Sequence, residues 1–215
     1  MGPSGSGKTT LLNLLSSIDK PTSGKVFFQD VDLETVKNKE LAHFRRDQIG
    51  FLFQDFNLLD NMTVMDNIAL PLALNMVHHG EINKKVTELA GFFKIEEQLQ
   101  KYPYQLSGGQ KQRAAAARSL IASPKVVFAD EPTGALDSKS AVELLECLTG
   151  LNKKYQTTIV MVTHDAFEAS HCDRILFLKD GYIHARLDKT ETRKELFKKT
   201  LDMLGAMGGV SNELF

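Results

Sequence analysis

Leu11, Leu12, Leu14, Leu15 and Ile18 recur at helical spacing, which predicts a helix beginning near Lys8 with one apolar stripe turned to a core. After a Pro-Thr-Ser-Gly turn, SGKVFFQDVDL (23–33) reads as a short strand pair. A charged helix follows over 37–46, and IGFLFQ (49–54) reads as a strand closed by the polar Gln54. From 57 to 119 the pattern is mostly helical, interrupted at Pro71, broken at His-His-Gly (78–80) and turned at Tyr-Pro-Tyr (102–104). KVVFAD (125–130) and TTIVMVTHD (157–165) are continuous apolar runs between polar flanks, the pattern of strands buried on both faces of a parallel sheet. Helices over 138–154 and 165–171 alternate with them, so the prediction is a doubly wound α/β architecture. RILFLKDGYIHARL (174–187) is two apolar runs about Asp180-Gly181, a hairpin signal. A charged amphipathic helix over 188–204 then leads to the tail GAMGGVSNELF.

Composition changes this picture little. The 215 residues are 42% apolar, enough for one sizeable domain and a core. A net charge of −1 offers no basic field for nucleic acid or an anionic membrane, so neither is expected as the main partner. No apolar run reaches the roughly 18 residues of a membrane span, and no leader peptide is recognisable, so a cytoplasmic location is expected. Cys147 and Cys172 lack C-x-x-C spacing and read as packing thiols.

The chemistry begins at residue 2. Gly2-Pro3-Ser4-Gly5-Ser6-Gly7-Lys8-Thr9 fills the phosphate-binding pattern G-x-x-x-x-G-K-[ST]. A polyphosphate needs many fixed N–H donors close together. Glycines let the backbone curl around it, and the following helix presents its unpaired amides and positive dipole end. Because a helix end gives an anion only about 0.3–2 kcal/mol, Lys8 and an Mg2+ ion held by the Thr9 hydroxyl must supply much of the rest. A glycine loop of this form arises by chance in roughly one chain of this length in a hundred, so alone it is not decisive.

A second feature decides. Leu106-Ser107-Gly108-Gly109-Gln110 precedes an alanine-rich stretch of high helix propensity, placing Ser107 and two glycines at another helix N-terminus. Chance predicts that pentapeptide in roughly one chain in several thousand. The next strand ends in Asp130, suited to indirect Mg2+ coordination, followed by Glu131, placed to polarise an attacking water. His164 follows another strand and Thr163, where an imidazole could reach a γ-phosphate, while His78, His79 and His184 read as structural. Gln54 can lend its amide oxygen to Mg2+.

In this order, GPSGSGKTT, Gln54, LSGGQ, VVFADE, Gly134-Ala135-Leu136-Asp137 and His164 resemble the nucleotide-binding subunit of ABC transporters over nearly the whole chain. The resemblance implies a P-loop NTPase fold of RecA-like type with an inserted helical subdomain and a small antiparallel part. The nucleotide-binding core would span 1–56 and 120–187, the helical subdomain 57–119, and a C-terminal helix and tail 188–215. It further implies a head-to-tail homodimer hydrolysing ATP. Residues 2–10, Thr10 included, would hold ATP in one copy, and Ser107, Gly108, Gly109 and Gln110 of the other would close over it. Glu131 and His164 would be catalytic, Thr9, Gln54 and Asp130 would serve Mg2+, and Asp137 would couple the two sites at the seam.

DEPTGALDS resembles the lipoprotein-release and macrolide-export class, and GFLFQDFNLLDNMTVMDNI, SSID and MLGAMGGV resemble the bacitracin-export type, which serves antimicrobial-peptide resistance. That implies a membrane permease docking beside Gln54 through Leu72, a sensor kinase reached through the permease, and a place on the inner face of the membrane. Phe56, Leu58, Leu59 and Met62 read individually as subdomain core. The rival readings are a lipoprotein-release or cell-division complex, a non-transport ABC ATPase, and an ATP-binding regulator without turnover. Relatives in the family carry some tens of residues before the glycine loop, including the first β-strands and an adenine-stacking aromatic. The chain therefore reads as truncated, and impaired stability and adenine binding are expected.

Overall fold

The apolar runs with no polar alternation become a parallel sheet in this computed structural model, which describes residues 1–190 and 192–208. In chain order the elements are α1 (Lys8–Leu15), β1 (Phe27–Phe28), β2 (Val31–Asp32), α2 (Asn38–Gln48), β3 (Ile49–Leu52), α3 (Val64–Leu74), α4 (His79–Phe93), α5 (Gly108–Leu120), β4 (Val126–Asp130), α6 (Ser138–Tyr155), β5 (Thr158–Val162), α7 (Ala166–Ala169), β6 (Arg174–Lys179), β7 (Tyr182–Asp188) and α8 (Arg193–Gly208). They fall into two compact units, residues 13–161 and residues 1–12 with 162 onward.

In the larger unit the sheet order is β3-β4-β5, with Ile49 opposite Val126 and Leu52 opposite Ala129 in parallel register. Val126 to Ala129 are all buried, which is why no polar residue interrupts that run. Helix α5 lies close on β3: a methyl group at Gly50 would stand 2.2 Å from Ser119 O, so only glycine permits the approach. Four consecutive alanines, Ala114–Ala117, are fully buried on α5, and with Leu52, Ile68, Phe93, Leu144 and Leu151 they form one continuous core. The predicted strand pair is antiparallel but short, Phe28 opposite Val31.

The smaller unit is built on the β6–β7 hairpin, turned by Asp180 and Gly181 at φ of 50° and 80°. Left-handed values at both positions match the right-handed twist of the strands. Met1, Ile175, Phe177, Leu196 and Met207 close its core.

Several boundaries differ from the sequence reading. Pro71 lies inside α3 instead of interrupting it. Loss of one helical hydrogen bond is tolerated because fully buried Ile68 and Leu72 (4% exposed) hold α3 in the core on both sides of the proline. The break before α4 falls at Asn75–Val77, where Met76 takes φ 56°; His78 caps α4 and Gly80 is already helical. Gln54 stands two residues beyond the end of β3. Ile18 lies past α1 and is exposed, α7 is a single turn, and α8 starts five residues later than predicted and runs on through Gly208 into the expected tail, whose residues 209–215 lie outside the described residues.

Candidate active site

In the smaller unit, the segment before α1 is pinned to β6. The Met1 amine donates to Leu176 O (2.6 Å) and Leu178 N donates to Met1 O (2.7 Å), bracketing Phe177 in the manner of parallel strands. Gly2 follows, so tight against β6 that a Cβ would stand 2.1 Å from Leu178 O. Gly181 N donates to Ser6 O (3.3 Å), tying the loop to the hairpin turn. Pro3, Ser4, Gly5, Thr9 and Thr10 are exposed, Gly7 and Lys8 are half-buried, and Gly2 and Ser6 are buried. Leu11 N donates to Gly7 O, so α1 starts at the loop with the amides of its first turn lacking helical partners.

Two details show what this loop can take. Lys8 Nζ folds back to donate to Gly2 O (3.0 Å) and Pro3 O (2.9 Å), lying across the loop mouth. Ser6 Oγ is buried, with no hydrogen-bond partner among the described residues. A cation parked on carbonyls, a helix N-terminus and an orphaned hydroxyl fit a polyphosphate, which would satisfy all three. His164 belongs to the same unit, exposed and two residues beyond β5; next to it Thr163 Oγ1 accepts from Asp165 N (2.8 Å).

In the larger unit, Asp130 closes β4 and is half-buried. Glu131 is also half-buried and takes φ 43°, a left-handed conformation that costs a non-glycine residue roughly 1–2 kcal/mol. Its carbonyl accepts from Gly134 N (3.0 Å), which turns the chain after the carboxylate pair. Gln54 lies against that turn: a Cβ at Gly134 would come within 3.0 Å of Gln54 Nε2. Ser107 and Gln110 form a reciprocal capping box, Gln110 N donating to Ser107 Oγ (3.3 Å) and Ser107 N to Gln110 Oε1 (2.9 Å). Gly109 packs so closely on α6 that a Cβ would stand 2.5 Å from Ser140 Oγ. Asp137 caps α6, accepting from Lys139 N and Ser140 N (both 3.0 Å) and from Ser140 Oγ (2.7 Å); the Ser140 backbone and hydroxyl hydrogen bonds hold its carboxyl below the usual range.

The larger unit thus brings together Gln54, the turn after Glu131, the Ser107–Gln110 cap and Asp137, while the glycine loop and His164 lie in the smaller one. Phe56 and Leu58 pack on the core, Met62 is half-buried and Leu59 is 42% exposed. Gln112 and Arg118 escaped the sequence reading. Gln112 Nε2 donates to Phe53 O (3.0 Å) and Pro132 O (2.5 Å), and Arg118 donates to Asn57 O (2.6 Å) and Phe56 O (3.1 Å). The usable signal was a long polar side chain on the alanine-lined face of α5.

Among the described residues no group of three or more His, Cys, Asp or Glu forms a metal cage. Mg2+ keeps several waters and takes one or two protein oxygens plus substrate phosphates; Thr9 in the smaller unit, and Gln54 and Asp130 in the larger, each carry a side-chain oxygen of that kind.

A family model described as ABC transporter matches residues 1–134. The chain is 51% identical over 214 residues, 99% of its length, to 85% of the bacitracin export ATP-binding protein BceA of Halalkalibacterium halodurans. It is 41% identical over 186 residues to the lipoprotein-releasing system ATP-binding protein LolD of Legionella pneumophila, covering 86% of this chain and 82% of that protein. A solved dimer of the ATP-binding cassette MJ0796 in a post-hydrolysis state, bound to ADP and Pi, superposes with a TM-score of 0.81 at 40% identity over 89% of this chain and 84% of that one. With its glycine loop, its capped second helix and its acidic strand end, the chain belongs to the ABC transporter family, as an ATP-binding cassette ATPase.

Proposed function

We propose that two copies of the chain close head to tail over two ATP molecules, hydrolyse them with Mg2+, and so drive a membrane permease for antimicrobial-peptide export and resistance. The observation that carries this reading is the pairing of two differently built anion sites in one chain. The glycine loop has its own lysine at the start of α1, whereas the Ser107–Gln110 cap offers a helix end whose first turn opens on two glycines and holds no carboxylate. Each is half of an enclosure, and a second copy supplies the other half.

In this reading residues 2–10 hold the β- and γ-phosphates, and Lys8 exchanges Gly2 O and Pro3 O for phosphate oxygens. Ser107, Gly108, Gly109 and Gln110 of the opposite copy cover the γ-phosphate. Glu131 accepts the proton of a water that attacks the γ-phosphorus in line. The new P–O bond forms as the bond to the β–γ bridging oxygen breaks, releasing ADP and Pi. His164 orients that water, Asp137 links the two seams, and Thr9, Gln54 and Asp130 would hold Mg2+, whose charge would offset that of the phosphates.

Among the described residues no helix is long and apolar enough to cross a membrane, which accords with a cassette held at the inner membrane face by its permease. The permease docks beside Gln54 through Leu72, where Leu59 is exposed, and reaches a sensor kinase in turn. Similarity to BceA at 51% over nearly the whole chain favours the peptide branch; the 41% similarity to LolD supports lipoprotein release as the second reading.

The test compares the wild type with Glu131→Gln. Turnover should fall by about 10³-fold or more while ATP binding persists, and the variant with MgATP should double its mass in solution. A variant that keeps its turnover, or that stays monomeric, would refute the mechanism. Reconstitution with the neighbouring permease separates the branches: bacitracin stimulates hydrolysis in the first and not in the second.

A further inference from the structure

Helix α5 grips the backbone on both sides of Gln54. Upstream, Gln112 Nε2 donates to Phe53 O; downstream, the Arg118 guanidinium donates to Phe56 O and Asn57 O. The gripped segment is one the chain would not adopt unaided, since Phe56 and Asn57 are successive non-glycine residues at φ 61° and 48°. Arg118 has no carboxylate partner among the described residues, and burial alone pulls its pKa below the ordinary arginine value. Its charge is directed entirely at those two carbonyls.

Gln112 reaches further. It is fully buried, and the same Nε2 also donates to Pro132 O, the residue directly after Glu131. The amide orientation follows from its neighbours, because two carbonyls require the NH2 end. One side chain therefore spans the backbone before Gln54 and the backbone after Glu131. Six residues, about 9 Å along the axis, separate Gln112 from Arg118, and the start of α5 is the Ser107–Gln110 cap.

We propose that Gln112 and Arg118 are positioning residues through which α5 sets Gln54 and Glu131. Resting on the head-to-tail reading above, the consequence is that the Ser107–Gln110 cap, on engaging ATP of the opposite copy, adjusts the water- and metal-facing groups of its own chain's site. The two sites are coupled within a chain by one rigid helix as well as across the seam. Gln112 and Arg118 touch no substrate in this arrangement, so their effect falls on the chemical step.

The test is a cycle on the full chain with Gln112→Met, Gln54→Ala and both. Steady-state hydrolysis is read alongside the mass of each variant in a Glu131→Gln background with MgATP. Gln112→Met should lower kcat by up to about a hundredfold, with KM for ATP within about twofold. The double variant should be slower than Gln54→Ala alone by less than the full Gln112→Met factor, because only the hold on the backbone after Glu131 is left to lose, and Arg118→Lys, which keeps the charge and reaches one carbonyl, should fall between wild type and Arg118→Met. Multiplying losses, a rise in KM alone, or an unchanged kcat would overturn the proposal. Should Gln112→Met not fold, the Arg118→Met and Gln54→Ala cycle is judged on the same criteria. Failure of Glu131→Gln itself to dimerise with Gln112 intact strikes the dimer reading, whereas the kinetic cycle judges the positioning role by itself.

Discussion

A single methyl group decides whether the glycine loop can sit where it does. At Gly2 it would collide with Leu178 O at 2.1 Å, a contact with backbone that cannot rotate away, and Gly2 holds φ 155° besides. Gly2→Ala must therefore push the loop off β6 and with it break the bond from Leu178 N to Met1 O. The expected outcome is a loss of about 1–3 kcal/mol in stability and weaker MgATP binding, read by denaturant titration and by calorimetry. Gly5→Ala, where an added Cβ meets nothing within 4 Å but φ is 78°, should cost less. The glycine pattern was legible in the sequence; which glycine faces a wall was not, because the wall is a strand some 176 residues later in the chain. Ser6 is similar: the sequence places it in the glycine loop, and only the fold buries its hydroxyl, without a partner among the described residues.

Helices α3 and α5 carry the same N-terminal device for different ends. Thr63 and Asp66 form a capping box on α3, and Ser107 and Gln110 one on α5. Removing either hydroxyl should cost about 1 kcal/mol of stability. Thr63→Ala should stop there, with turnover per folded molecule unchanged, whereas Ser107→Ala should also slow hydrolysis and weaken nucleotide-dependent dimerisation. Equal turnover in both variants, measured at matched folded fraction, would mean that the Ser107 cap is structural only. Element types were largely legible: the helix starting at Lys8, the strand ending at Asp130 and the Asp180-Gly181 hairpin follow from period, capping and turn chemistry. Pro71 was misread because propensity is local. The apolar neighbours that keep α3 helical through a proline come from the packed subdomain core, in which α5 lies some forty residues further along the chain.

For the molecule as a whole, pH tests how its carboxylates are held. The Arg186 and Arg174 guanidiniums keep the Asp188 carboxyl at about 2; hydrogen bonds from Arg46, the Tyr155 hydroxyl, the Ser140 amide and the Thr192 hydroxyl lower those of Asp47, Glu88, Asp137 and Glu195. A depressed folded-state value contributes stability that is fully present above the ordinary carboxylate range and is lost as pH falls through the folded value. The stability these carboxylates contribute should therefore hold above about pH 5 and decline from about pH 4 towards 2. All five groups are close to solvent, so the decline should be shallow and should shrink with added salt. Denaturation midpoints against pH check this, and Asp188→Asn should flatten the lowest part of the curve.

The sequence by itself determined the α/β class, the order of the motifs and the family they belong to, because loop, strand and helix signals act over a few neighbouring residues and this family writes its chemistry in contiguous words. Only the tertiary structure decided what each word leans on: Gly2 on β6, Gly109 on Ser140, Gln54 on the turn after Glu131, and the backbone around Gln54 on Gln112 and Arg118. Those contacts join residues tens to more than a hundred positions apart. Close packing and the need to pair most buried polar groups select them, and neither leaves a periodic trace along the chain.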